Sequence, residues 1–275
     1  MADQTFLDRI LSHKREELQR QKTKISPQKL LQQAEQAPAT RPFVAALRHP
    51  NRLALIAEIK KQSPSKGMLA DHLDPLRLAR IYAEHGADAI SVLTDARFFG
   101  GSLQHLKAIR VEQESSGLAV PLLRKDFLID PYQVYEARAY GADAVLIIVA
   151  AVDAPMVSTL LETTREAGME ALVEVHTEAE LQIALHAGAE LIGINNRDLR
   201  MFDVDVQTTD RLLKALPPGP GPVMVSLSGV RDTAALSHLR GVGADAILVG
   251  EAIMTAPDPA AKVRELSGRT ELPAA

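Results

Sequence analysis

One short phrase recurs four times along the chain: Gly86-Ala87-Asp88-Ala89, Gly141-Ala142-Asp143-Ala144, Gly188-Ala189-Glu190-Leu191 and Gly243-Ala244-Asp245-Ala246 each open a short apolar run. Successive copies are 55, 47 and 55 residues apart, a regularity that unrelated turns do not produce. The stretches before them, 76–84, 131–140, 179–187 and 233–240, have helical patterning. A glycine just past a helix end takes the left-handed conformation that stops the helix, and the next residues then lead into a strand. The repeated unit is therefore helix, glycine stop, strand.

Four further apolar runs, 53–60, 121–124, 170–175 and 223–226, interleave with these, separated by more helical pattern. Strands that alternate with helices, and that lack the strict alternation of a half-solvated sheet, predict a parallel sheet covered on both faces. Eight such units in about 220 residues predict a (β/α)8 barrel, whose usual size is about 250 residues. A doubly wound open sheet is the alternative architecture; eight nearly even units with a fourfold echo favour closure.

The whole chain, 1–275, reads as a single domain: 275 residues, 46% of them hydrophobic, are enough for one large core. Residues 1–52 precede the eight units and form an N-terminal helical extension to a barrel spanning 53–275. In the extension Phe6, Ile10 and Leu18 fall at near-helical spacing, and Ser26-Pro27 reads as an N-cap followed by proline at the first helical position. Two helices are expected there, either closing the bottom of the barrel or contributing to its site. A net charge of −4 with no basic face excludes a nucleic-acid partner. The longest apolar run, 144–152, is too short to span a bilayer, and Asp3, Asp8 and Arg9 interrupt any signal pattern. With no cysteine there is no disulfide, thiolate metal site or cysteine nucleophile. The expectation is a cytoplasmic protein, a monomer or weak homodimer, with no nucleic-acid or membrane partner.

In such a barrel the chemistry lies where the strands end, so polar residues that close an apolar run are the first candidates. Strand 1 closes with Glu58 and Lys60, two apart and so on one face of the strand. Strand 3 closes with Arg124-Lys125-Asp126-Phe127, strand 5 with Glu174-Val175-His176 and strand 6 with Asn195-Asn196-Arg197-Asp198. For any one of these a solvated loop start is the ordinary explanation; several strands converging on one mouth make it insufficient. Two lysines close together are expected to lower each other's proton affinity, which makes a better acid. Strands 7 and 8 end in Ser226-Leu227-Ser228-Gly229 and Val249-Gly250-Glu251. Glycines there let backbone N–H groups meet an anion, at the position where barrels commonly hold phosphate. No histidine-carboxylate cluster has metal-ligand spacing, so neither metal nor organic cofactor is expected. His176, which follows a strand, reads as structural or loop-organising.

Five strings together are specific: Glu58-Ile59-Lys60-Lys61-Gln62-Ser63-Pro64-Ser65; Ser91-Val92-Leu93-Thr94-Asp95 with Phe98-Phe99-Gly100-Gly101-Ser102; Leu123-Arg124-Lys125-Asp126-Phe127; Leu172-Val173-Glu174-Val175-His176; and Gly193-Ile194-Asn195-Asn196-Arg197-Asp198-Leu199. In order and spacing the chain resembles the indole-3-glycerol phosphate synthase family of tryptophan biosynthesis over nearly its whole length. The resemblance implies a (β/α)8 carboxy-lyase that converts 1-(2-carboxyphenylamino)-1-deoxyribulose 5-phosphate into indole-3-glycerol phosphate, carbon dioxide and water. It implies Lys125 as general acid, Glu174 as the base of the dehydration, and Glu58 and Asn195 as stabilisers of the cationic intermediate. Lys60 would bind and aid proton transfer, with Ser228 also in the catalytic set. By the same resemblance Ser63, Arg197, Gly229, Gly250 and Glu251 grip the substrate, mainly its phosphate, while Phe99 and Leu199 line the anthranilate side.

The chain departs from the family's pattern at Leu227, where glutamate is usual, and that carboxylate would have stood near the lysine pair. Glu251 stands where a short side chain is frequent. A phosphate-binding paralogue with weakened turnover is therefore the alternative to a working synthase. A related isomerase built on a cysteine-aspartate pair is disfavoured by the absence of cysteine. The loop 61–69 is the expected mobile segment over the mouth, and the Pro/Gly-rich 217–222 reads as a stiff linker.

Overall fold

A computed structural model describes residues 5–63, 67–69, 73–199, 203–230 and 233–269. Three helices come first: α1 (Phe6–Lys24), α2 (Pro27–Glu35) and the short α3 (Phe43–Ala46). The barrel then runs β1 (Ala54–Ile59), α4 (Pro75–Glu84), β2 (Ala89–Leu93), α5 (Ala96–Phe99), α6 (Leu103–Ser116), β3 (Leu122–Lys125), α7 (Pro131–Ala139) and β4 (Ala144–Ile148). It continues through α8 (Ala154–Glu166), β5 (Glu170–Val175), α9 (Glu178–His186), β6 (Leu191–Asn195), α10 (Gln207–Lys214) and β7 (Val223–Leu227). It ends with α11 (Thr233–Gly241), β8 (Ala246–Val249), α12 (Glu251–Met254) and α13 (Pro259–Ser267). All eight strands are parallel and close, β8 pairing with β1 and β1 with β2. This is the expected (β/α)8 barrel, and an open sheet is ruled out.

The recurring phrase has a mechanical role. Gly86, Gly141, Gly188 and Gly243 all hold positive φ, between 73° and 105°, as a helix stop requires. The aspartates that follow then latch the bottom rim. Asp88 donates its N–H to the Leu55 carbonyl and accepts the Leu55 N–H on its carboxylate, each at 2.9 Å. Asp143 does the same to Leu122, and Asp245 to Met224, at 2.8–2.9 Å. Each latch joins an even strand to the odd strand before it. Glu190 makes a different link, its carbonyl accepting the N–H of Val223 at the start of the following strand, β7.

Inside the barrel the strand stagger brings inward side chains of alternate strands to one level, four at a time. Ile56, Leu123, Leu172 and Val225 form one such level, fully buried. Following the register around the ring, the level above it comprises Glu58, Lys125, Glu174 and Leu227. The change from apolar to ionisable side chains across two residues marks the floor of the site. Lys125 is the last residue of β3 rather than the first beyond it, which is why it stands on that floor.

The extension follows a path the sequence did not predict: it has three helices and wraps the barrel from mouth to bottom. The apolar face of α1 (Leu7, Ile10, Leu11) joins the inner core beside Phe98, Phe99 and Phe127. Lys14, 2% exposed, bonds Asp95 and Asp126 beyond β2 and β3 at 3.0 and 2.9 Å, and Glu17 at 2.8 Å. Burial alone would strip its proton; the three carboxylates outweigh that and hold it above the usual lysine range. The Ser26 cap is present, its side chain accepting from the Lys29 N–H, and α2 packs along α7. α3 then plugs the bottom with Phe43, Val44 and Leu47, its first N–H groups held by the Glu170 carboxylate.

Candidate active site

Glu58 and Lys60 share one face of β1 and its continuation, as their spacing required, and pair at 3.0 Å. Across the mouth Lys125 Nζ stands 3.3 Å from Glu174 Oε2, while Asn195 Nδ2 donates to Glu174 Oε1 at 2.8 Å. Both glutamates are buried, whereas the Lys125 side chain keeps 19% of its surface open to the cavity. Two lysines lowering each other's proton affinity is not what this geometry delivers. Burial does push the Lys125 ammonium downward, but Glu174 and Glu58, with a further contribution from Asp126, outweigh it and raise its pKa above the ordinary lysine value. The reason is the partner: Lys125 pairs with Glu174 at 3.3 Å, and Lys60 with Glu58 at 3.0 Å. Asp126, next in the chain, is buried too, yet Lys14 and Arg124 hold it well below the usual carboxylate range.

The ends of β7 and β8 form the second part of the mouth. Ser228 and Gly229 both take positive φ, 66° and 87°. For serine this conformation costs about 1–2 kcal/mol, and a buried network holds it. Asn196 Nδ2 donates to the Ser228 carbonyl at 3.0 Å and to Ser226 Oγ at 3.2 Å, while Asn196 Oδ1 accepts from the Thr209 N–H and hydroxyl. Gly250 is needed for space: a Cβ there would stand 2.7 Å from Glu58 Oε1. Glu251 opens α12 immediately after it. Arg231 and Asp232, which follow the Ser228-Gly229 turn, lie outside the described residues; α11 is described from Thr233.

The remaining wall is apolar. Phe99 packs against Phe127 with ring centroids 6.0 Å apart, and Leu93, Ile148, Leu199 and Leu248 complete it. Leu227 lies over Gly193, against Leu172, so the fourth place on the ionisable level is filled by hydrocarbon. The cavity enclosed has about 990 Å³ of empty space, solvent at its mouth included. Twelve of the anticipated residues line it: Glu58, Lys60, Phe99, Lys125, Glu174, Asn195, Arg197, Leu199, Ser228, Gly229, Gly250 and Glu251. Ser63 lies in a short hairpin, Gln62–Ser63 against Gly67–Met68, and its side chain is outside the described residues, as are 64–66 of the anticipated mobile loop. Asp126 and Phe127 also line the cavity; both stand in the motif that closes strand 3, but no role had been assigned to either.

Among the described residues no group of three histidine, cysteine, aspartate or glutamate side chains can hold a metal ion, and no helix is long and apolar enough to cross a membrane. The family model for indole-3-glycerol phosphate synthase matches residues 7–266. The chain belongs to the indole-3-glycerol phosphate synthase family. Synthases of that name from Roseiflexus sp. (strain RS-1) and Roseiflexus castenholzii are 56% and 53% identical to it, over 96% of this chain and 98–99% of theirs. The synthase of Dehalococcoides mccartyi (strain CBDB1) is 46% identical over 95% of this chain and 99% of its own. Among solved structures, a thiamine phosphate pyrophosphorylase from Pyrococcus furiosus aligns with a TM-score of 0.58 at 18% identity, over 79% of this chain and 95% of that one; at that distance only the fold is shared.

Proposed function

We propose that the mouth cavity carries out the family's ring closure, turning 1-(2-carboxyphenylamino)-1-deoxyribulose 5-phosphate into indole-3-glycerol phosphate. Lys125 donates a proton to the ribulose carbonyl oxygen as the aromatic carbon that bears the carboxylate attacks the carbonyl carbon. Loss of carbon dioxide from that carbon restores the aromatic ring. The new hydroxyl then takes a second proton and leaves as water, while Glu174 removes a proton from the neighbouring methylene to complete the indole. Of the two protons taken by the departing oxygen, one is replaced by the methylene proton and one by solvent, which balances the carboxylate lost as carbon dioxide. Glu174 and Lys125, 3.3 Å apart, can pass the methylene proton directly between base and acid.

Glu58 and Glu174 offer negative charge to the cationic intermediate, and Asn195 orients Glu174. Lys60, Arg197, Ser228 and the Gly229 and Gly250 backbone form the phosphate end; Phe99 and Leu199 flank the aromatic ring. On the same reading Ser63 and Glu251 act on the substrate from the rim. The protein works in the cytoplasm, as a monomer or weak homodimer, on a freely diffusing sugar phosphate.

The observation that carries this reading is one level of the barrel holding Glu58, Lys125 and Glu174 at the floor of a cavity large enough for the substrate. The test is direct. Purified protein is given the carboxyphenylamino-deoxyribulose phosphate, and indole fluorescence is followed. Product is expected from the wild type, with kcat reduced about 10²–10⁴-fold in Lys125→Ala. No product, or unchanged turnover in the variant, would overturn it.

A further inference from the structure

The ladder between β5 and β6 ends at Val175 and Ile194. One residue further along stand His176 and Asn195, and there the link between the strands continues through a side chain: His176 Nδ1 lies 2.7 Å from the Asn195 carbonyl oxygen. A carbonyl oxygen only accepts, so Nδ1 carries the hydrogen whatever the charge of the ring. His176 is itself anchored, its backbone N–H donating to Glu180 Oε2 at 2.7 Å. Glu180 sits in the first turn of α9, and its own N–H donates to the cap residue Thr177 at 3.2 Å. The imidazole therefore reaches from a fixed helix start to the end of the neighbouring strand.

Asn195, the residue so held, has all three of its acceptor and amide groups engaged. Its carbonyl takes the His176 bond, its Oδ1 accepts from the Arg197 N–H at 3.0 Å, and its Nδ2 donates to Glu174 Oε1 at 2.8 Å. The direction of that last bond is set by the backbone of Asn195, whose carbonyl is the atom His176 grips. A smaller cavity of about 420 Å³, solvent at its opening included, lies beside Glu174 and is bordered by His176, Thr177, Glu180 and Arg197. The imidazole thus borders open space, while Asn195 is buried and pairs on its other side with Leu227 of β7, so on the β5 side His176 is the group that ties its carbonyl.

We infer that His176 is a positioning residue for the reaction: its Nδ1–H fixes Asn195, and Asn195 fixes the carboxylate of Glu174 against Lys125. The inference rests on Glu174 acting as the base. A structural staple between β5 and β6 would cost stability when removed; a positioning residue costs turnover, and only a side chain with a donor at the Nδ1 position replaces it. Asparagine presents its Nδ2–H close to that position, whereas glutamine carries its amide one carbon further out and leucine has no donor.

The experiment compares His176→Asn, His176→Gln and His176→Leu in the fluorescence assay, with thermal melts alongside and Glu174→Gln as reference. His176→Leu and His176→Gln are expected to lower kcat about 10-fold with KM within about twofold, and His176→Asn to keep about half of wild-type kcat or more. Should His176→Leu fail to fold, the contrast between asparagine and glutamine carries the test. Wild-type kcat in His176→Leu, losses confined to KM, or equal loss in the asparagine and glutamine variants would overturn the inference. An inactive wild type, or a fully active Glu174→Gln, would instead overturn the reading on which it rests.

Discussion

The two rims of the barrel both carry buried carboxylates and use them in opposite ways. At the bottom, Asp88 and Asp143 each take several donors at once. Asp88 takes the Leu55 N–H with Arg52, His49 and Arg269, and Asp143 takes the Leu122 and Arg41 N–H groups with Arg110. At the mouth, Glu58 and Glu174 each pair with a lysine on the lining of a cavity. A guanidinium with fixed, multiple bonds locks a carboxylate, whereas an ammonium on a flexible stem can turn toward a substrate oxygen and give up a proton. A buried carboxylate is thus bound fast at one end and set beside open space at the other, and what separates the cases is the partner and the space beside it.

The sharpest way to break this contrast is to exchange the two kinds of loss. Lys125→Ala is expected to lower kcat about 10³-fold while moving the melting temperature little, because its side chain borders open space. Asp143→Ala is expected to lower stability by about 2–4 kcal/mol, since it strands the Leu122 and Arg41 N–H groups and removes one of the partners of Arg110, which keeps Glu114 and the Ala39 carbonyl. Its kcat, measured well below the melting temperature, should stay within about twofold of wild type. Denaturant melts and the fluorescence assay on both variants decide this; a stable Asp143→Ala, or one that is folded and inactive, would remove the distinction between the rims.

Much of this arrangement was legible in the sequence, for reasons tied to particular residues. Gly86, Gly141, Gly188 and Gly243 mark their helix stops because positive φ leaves few alternatives to glycine; they located four of the units, and the apolar runs interleaved with them located the other four. Glu58 and Lys60 were assigned to one face from the two-residue period of a strand. What stayed hidden depends on distances between strands. No local pattern shows that β1, β3, β5 and β7 bring Glu58, Lys125, Glu174 and Leu227 to one level, and so the raised proton affinity of Lys125 could not be foreseen from two lysines in a list. Lys14 was equally invisible: a lysine among charged neighbours on an amphipathic helix reads as solvated, and only the fold brings Asp95 and Asp126 to it.

Leu227 tests how far the floor of the mouth depends on its present charges, Lys125 against Glu58 and Glu174. Leu227→Glu would add a third carboxylate over Gly193 and against Leu172, where it has little water, and is expected to cost about 2 kcal/mol of stability. It would also hold the Lys125 proton more firmly, so no gain in kcat is expected. A clear rise in kcat would mean that hydrocarbon at the fourth place limits turnover. Gly250→Ala probes the same floor from above. The added methyl would stand 2.7 Å from Glu58 Oε1, and displacing that carboxylate is expected to lower kcat about 10-fold with stability nearly unchanged. Unaltered kinetics in Gly250→Ala would show that the position of Glu58 is not critical.

The bottom rim makes a further, smaller prediction, visible only in acid. Burial opposes the charge on Asp88, but the bond from Arg52, the Leu55 N–H and the charges of Arg52 and His49 outweigh it and keep the carboxylate below its ordinary range. A carboxylate whose proton affinity is lowered by folding stabilises the protein fully above the unfolded-state value, near pH 4, and loses that contribution as pH falls toward the lower folded value. Wild-type stability should therefore decline more steeply below about pH 4 than that of Asp88→Asn, by at most about 1.4 kcal/mol per pH unit for this one group. Urea melts at pH 5, 4 and 3 measure the two slopes. Parallel slopes would mean that Asp88 titrates alike in the folded and unfolded chain, and the latch between β1 and β2 would then rest on its backbone hydrogen bond and not on the carboxylate.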